Sequence, residues 1–166
     1  MKNSIWILLI VISSNLAFGQ SYDLIVPNID SLKIKLSNEK NLEVIYLYLN
    51  NNYGTTSEKR DMQFYSPFDD EILCSFKQEF ENNLCYYIYN CSESGGITVQ
   101  LELPKIDRKK LMNWIEAIYD VQKIESDKNV WNEDNSAFEP NGLNLGCYYT
   151  IEEKETRTIV QMYCGC

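Results

Sequence analysis

Two stretches of this chain share one plan. Each carries two cysteines seventeen residues apart, Cys74 and Cys91 in the first and Cys147 and Cys164 in the second, around alternating apolar residues and a central turn. Apolar residues at a period of two mark half-buried strands, so each stretch reads as a β-hairpin. In the first, EILCSFKQEFE and LCYYIYNC flank Asn82-Asn83, and asparagine tolerates the positive φ that a two-residue hairpin turn demands. With that turn, Glu81 faces Leu84 and Cys74 faces Cys91. In the second, a turn centred on Glu155-Thr156 sets Lys154 against Arg157 and Cys147 against Cys164; a four-residue loop on the same centre keeps that register. Both cysteine pairs then fall at non-hydrogen-bonded sites, where Cα atoms approach to about 4.5 Å, near the short end of the disulfide range of about 4.4–6.8 Å.

The register also sorts the faces. In the first hairpin Cys74, Phe76, Phe80, Cys85, Tyr87, Tyr89 and Cys91 share one side. Pairing Cys91 with Ile97 across the next loop adds Ile97, Val99, Leu101 and Leu103. In the second, Cys147, Tyr149, Ile151, Val160, Met162, Cys164 and Cys166 share one side. The expected bridges are Cys74–Cys91 and Cys147–Cys164. Cys85 and Cys166 are left facing the core, where a third bridge between them would staple the C-terminus to the first sheet.

The remaining elements follow from period and punctuation. Leu32, Ile34 and Leu36 alternate with Lys33 and Lys35, as in a strand. Residues 42–49 read as a more fully buried strand, with a helix the alternative for so short an apolar run. Residues 50–70 read as loop, broken at Ser66-Pro67. Residues 71–103 form a three-stranded antiparallel meander that Pro104 ends. Asp107 can cap a helix, and Leu111, Trp114, Ile115, Ile118, Val121 and Ile124 then recur at helical spacing. An amphipathic helix is predicted over residues 107–125. Residues 125–146 read as a long polar loop, a kind that is often functional. The expected fold is α+β: an antiparallel sheet of about five to seven strands, with two disulfide-stapled hairpins, under one long amphipathic helix.

The N-terminus sets the compartment. Lys2, the apolar run at residues 5–12 and the small-x-small sequence Ala17-Phe18-Gly19 have the form of a secretory signal peptide cleaved before Gln20. Residues 1–19 are expected to be removed, leaving one domain over residues 20–166 in the periplasm or outside the cell. The apolar run is shorter than the roughly 20 residues needed to span a bilayer, and no transmembrane segment is expected in the mature chain. Export also favours disulfides among the six cysteines.

Charge and composition exclude several functions. The chain carries 24 acidic and 15 basic residues, a net charge of −9. Removing Lys2 with the leader leaves 14 basic residues and a charge of −10. Nucleic-acid binding needs a basic patch, and the one basic run, residues 105–110, is diluted by Asp107 at a helix start. The acidic balance permits a basic protein partner, and it also serves the solubility of an exported chain. There is no histidine, which removes Ser-His-Asp and Cys-His catalysis and histidine metal sites. No GxSxG, P-loop or GxGxxG is present.

The acidic clusters Asp69-Asp70-Glu71 and Glu133-Asp134 could in principle supply a carboxylate pair, but read as solvated surface. Residues 132–144 gather oxygen ligands of the type calcium accepts, without EF-hand spacing. Asn90-Cys91-Ser92 fits a glycosylation sequon beside a cysteine expected to be bonded. Cys164-Gly165-Cys166 lacks the basic neighbour or helix terminus that activates a redox thiol. No metal or cofactor is expected. The composition points to an exported binding or inhibitory module without catalytic activity. Trp131 and Phe138, with Glu133 and Asp134 beside them, are the candidate contacts for the partner. A surface-associated envelope module is the alternative, and a carboxylate-based hydrolase the third reading.

Overall fold

A computed structural model describes residues 22–38, 43–66, 69–90, 96–123, 128–142 and 146–165, with backbone alone at 63–66, 69–74 and 90. The expected leader, residues 1–19, lies outside the described residues. The fold is α+β. Its centre is an eight-stranded sheet in the order β1-β2-β3-β4-β8-β7-β6-β5, antiparallel at every pairing. The strands are β1 (Arg60–Ser66), β2 (Asp69–Phe80), β3 (Leu84–Asn90), β4 (Ile97–Pro104), β5 (Asn129–Trp131), β6 (Ala137–Pro140), β7 (Cys147–Glu153) and β8 (Arg157–Cys164). Among the described residues three helices accompany it: α1 (Ile29–Asn38), α2 (Val44–Asn52) and α3 (Arg108–Gln122).

The predicted helix is α3. Asp107 caps it, its carboxylate accepting from Lys110 N at 3.0 Å, and Leu111, Trp114, Ile115, Ile118 and Val121 are buried along one side. The other two helices correct the expected strands. In α1, Asn28 Oδ1 accepts from Ser31 N, satisfying a free amide of the first turn. Leu32 and Leu36, four apart, then fall on one helical face. Leu32 is 2% exposed and Ile34, on the other side, 63%. The alternating pattern is compatible with both periods, and the cap favours the helix.

In α2, Glu43 accepts from Ile45 N at 2.7 Å and Tyr46 N at 3.0 Å. Asn50 and Asn52 donate back to the carbonyls of Tyr46 and Tyr48. Val44, Ile45, Tyr46, Leu47, Tyr48 and Leu49 are all buried. A helix enclosed on every side has no polar stripe, so its apolar run matches that of a buried strand.

The closing hairpin has the expected register. Cys147 faces Cys164, Ile151 faces Val160 and Glu153 faces Thr158, and Lys154 N donates to Arg157 O across a four-residue loop. Cys147 and Cys164 form a disulfide with Cα atoms 4.2 Å apart.

The first hairpin does not. Its turn uses three residues, Glu81, Asn82 and Asn83, with Asn82 at φ 60° and Asn83 at φ 59°. Phe80 therefore faces Leu84, and Ser75 faces Tyr89 rather than Asn90. On the next pair, Asn90 takes the place opposite Ile97 expected of Cys91. One residue of slip turns every side chain to the other face. Here the strand that turns over is β3: Leu84, Tyr86 and Ile88 join Phe76 and Phe80 of β2, which keep their expected side, in the core, while Cys85, Tyr87 and Tyr89 move to the opposite face. Cys85 is a buried free thiol, which overturns the expected Cys85–Cys166 bridge. Cys166 and Cys91 lie outside the described residues, as does the side chain of Cys74, and with them the expected Cys74–Cys91 bridge.

The helices gather on one face of the sheet. Tyr46 of α2 meets Phe76, Phe80 and Tyr86 edge-on or tilted, with centroids 5.0–6.1 Å apart. Tyr119 of α3 meets Phe138 at 5.3 Å and Tyr149 at 6.4 Å. Helix α1 packs against both α2 and α3. Leu32, Ile45, Leu101, Leu103, Ile115 and Val160 belong to the single core between these layers. Both stretches expected as loops hold strands, β1 within residues 50–70 and the β5–β6 hairpin within 125–146, so the sheet has more strands than predicted even though two expected strands are helices.

Candidate functional site

Period two places alternate residues of each strand on the face away from the helices, and the ladders join them into rows. The first row runs Ser75, Tyr89, Thr98, Tyr163, Tyr148. The second runs Lys77, Tyr87, Gln100, Gln161, Thr150. The third runs Glu79, Cys85, Glu102, Ile159, Glu152. Val130 and Glu139 extend this face at the β5 edge. Among the described residues no helix covers it. It is a polar and aromatic surface of tyrosine, glutamine, threonine and glutamate. Among the described residues six large hydrophobic side chains are exposed, and three of them lie on this face: Val130 at 45%, Tyr148 at 42% and Tyr163 at 46%.

Its charges are organised around carboxylates. Arg157 Nη1 meets Glu102 Oε2 at 2.7 Å, Lys77 meets Glu79 at 3.2 Å, and Lys154 meets Glu152 at 3.2 Å. The hydrogen bond to Glu79 is the main cause holding the Lys77 ammonium above its ordinary range. Glu139 is exposed. A hollow of about 180 Å³ opens at the acidic end, lined in part by Lys77, Glu79, Cys85, Tyr87 and Arg157. Burial pushes the Cys85 thiol up, which disfavours the reactive thiolate. Burial likewise raises the Tyr87 phenol.

The residues expected to meet a partner divide. Phe138 is a core residue, packed between Tyr119 and Tyr149. Trp131 is half-buried, lies on Phe138 with centroids 4.9 Å apart, and donates from Nε1 to Glu116 Oε1 on α3 at 2.7 Å. These rings tie the β5–β6 hairpin to the helix layer. Glu133 and Asp134 are exposed at the hairpin tip. The Asp134 carboxylate accepts from the Ser136 hydroxyl at 2.6 Å and from Ser136 N at 3.0 Å, and these bonds hold it below the usual range. Asp134 is therefore occupied in shaping the turn. No group of three or more potential metal ligands occurs among the described residues, and no described helix is long and apolar enough to cross a membrane.

A second surface lies over the helices. Residues 22–28 cross them as an extended strap. Ile25 N donates to the Tyr53 hydroxyl at 3.0 Å and Ile25 O accepts from the Tyr48 hydroxyl at 2.6 Å, while Lys110 Nζ clasps both oxygens of Asp23. A groove of about 300 Å³ runs between strap and α3, walled by Leu24, Pro27, Ile106, Trp114 and Ala117.

The open tyrosines are within reach of sequence reasoning. Placing Cys147, Tyr149 and Ile151 inward already sends Tyr148, Thr150 and Glu152 outward. Tyr87 and Tyr89 are hidden by the slipped register. Comparison of the chain with protein-family models, with curated proteins and with solved structures gives no match.

Proposed function

We propose that this chain is an exported binding or inhibitory module without catalytic activity, acting in the periplasm or outside the cell on a basic protein partner. The bare sheet face carries this reading. A broad antiparallel face that no helix covers is available for docking, and its side chains are those that interfaces favour, with tyrosine foremost. Its carboxylates Glu79, Glu102, Glu139 and Glu152 outnumber the cations Lys77, Lys154 and Arg157 set among them, and the chain as a whole carries −9. Such a field steers positively charged proteins and repels acidic ones. The partner contacts expected at Trp131 and Phe138 pass to this face. Glu133 and Asp134 at the hairpin tip add to its negative field.

The test is capture of basic exported proteins by the oxidised protein at low and high salt. Thr150→Arg puts a cation in the middle of the face, and Ser37→Arg puts one on α1. A salt-sensitive partner whose affinity falls about tenfold with Thr150→Arg and is held with Ser37→Arg is the expected result. Equal losses from both would move the docking surface off the sheet. No partner at either salt would leave an envelope module as the better reading.

A further inference from the structure

We infer that Tyr148 and Tyr163 are the part of the open face that recognises the partner, and that they take arginine side chains. This rests on the proposed basic partner and adds which cation is read and where. The two tyrosines face each other across β7 and β8, their centroids 6.5 Å apart and their planes tilted by 41°. Both remain more than two-fifths exposed, at 42% and 46%. The Tyr163 ring rests where two glycines clear its floor. A Cβ at Gly165 would come within 2.2 Å of its hydroxyl oxygen, and one at Gly96 within 3.1 Å. Glycine at both positions therefore leaves room for the ring, whose outer side stays open.

The same face already shows the contact in miniature. Lys77 Nζ lies 5.4 Å from the centroid of Tyr87, so the chain's own cation occupies that ring. Among the described residues no cation is placed over Tyr148 or Tyr163. Their electron-rich faces are open acceptors on an acidic surface, with Thr98, Gln161 and Thr150 as neutral hydrogen-bonding neighbours. A planar guanidinium suits such a site. It stacks flat on an aromatic ring while its in-plane N–H groups reach neighbouring amide, hydroxyl and carboxylate oxygens. A lysine ammonium is more strongly hydrated and has no flat face to stack.

The experiment titrates the oxidised protein calorimetrically with octa-arginine and with octa-lysine at low salt. Octa-arginine is expected to bind about tenfold more tightly, the size of two exposed cation–ring contacts. The double variant Tyr148→Leu/Tyr163→Leu should bring the two peptides level, and Tyr148→Phe/Tyr163→Phe, which keeps the rings, should retain the difference. Thermal unfolding of each variant checks that the fold is intact. Equal binding of both peptides by the unaltered protein, or an arginine preference that survives the leucine variant, overturns this assignment and leaves the basic-partner reading standing. If neither peptide binds, that reading fails and this one with it.

Discussion

The two faces of the sheet use the same strands for different ends. In β4, Leu101 and Leu103 point to the helices and are wholly enclosed, while Gln100 and Glu102 point away and form an ion-pair and amide network with Gln161 and Arg157. Neighbours in sequence therefore belong to different energetic regimes. The covered face draws on burial, worth about 25 cal/mol per Å² of apolar area. The open face is wet, and its ion pairs contribute about 0–1 kcal/mol each. The covered face specifies the fold, and the open face is free to be chosen for a partner.

Adjacent substitutions separate the two regimes most sharply. Leu101→Ala is expected to cost about 2–5 kcal/mol by denaturant unfolding, and Gln100→Ala within about 0.5 kcal/mol. Similar losses at both positions would mean that the outer face is also packed. The disulfide comes next. Cys147 and Cys164 lie seventeen residues apart, and replacing both with serine should cost about 3 kcal/mol by the loop-entropy relation, read as the difference in unfolding free energy.

The covered face also holds one carboxyl at its margin. Glu43 caps α2 and accepts from the Tyr86 hydroxyl at 3.0 Å. Burial pushes it up to about 7, although the bonds from Ile45 N, Tyr46 N and Tyr86 act the other way. A carboxyl raised in the folded state favours the fold when protonated. Its contribution is fully present below about 4.5, its ordinary value, and is lost as pH rises through about 7. Glu43 alone should thus lower stability by up to about 3 kcal/mol across that window. Urea unfolding of Glu43→Gln at several pH values should show that decline removed. A decline of unchanged depth would place its origin elsewhere.

How far the sequence reveals this arrangement turns on loop parity. Both hairpins show the right alternation, so the strands, the meander and the sheet class are legible. The closing hairpin is also legible in register, because loops of two and four residues share a centre and keep the same partners. At Asn82-Asn83 the asparagines do take positive φ, but Glu81 joins the turn. An odd loop shifts the partners by one and turns β3 over, while β2 keeps its expected face. Nothing in the local sequence separates these parities, since the tyrosines 86, 87 and 89 suit either side. The α1 and α2 segments differ from the expected strands for a related reason: a short apolar run fits two periods, and only the caps at Asn28 and Glu43 distinguish them. The candidate site is the less legible part, because a binding face has no period of its own. Trp131 and Phe138 have the look of anchors in a loop, and only the pairing of β5 with β6 turns them inward.

Cys85 offers the finest test of that shift. On the observed register its thiol lies on the outer side between Glu79 and Glu102, and it is unpaired. Cys85→Ala then removes only a small, enclosed sulfur. The expected cost is under about 1 kcal/mol, within the range of substitutions that leave no cavity or broken bridge. The number of thiols titrated in denaturant should fall by one. A bridge from Cys85 to Cys166 predicts the opposite on both measures. Breaking it would cost about 2–5 kcal/mol, and the freed Cys166 would raise the thiol count by one. The two registers thus differ in the sign of the thiol change, and the count distinguishes them even where the stability change is too small to resolve.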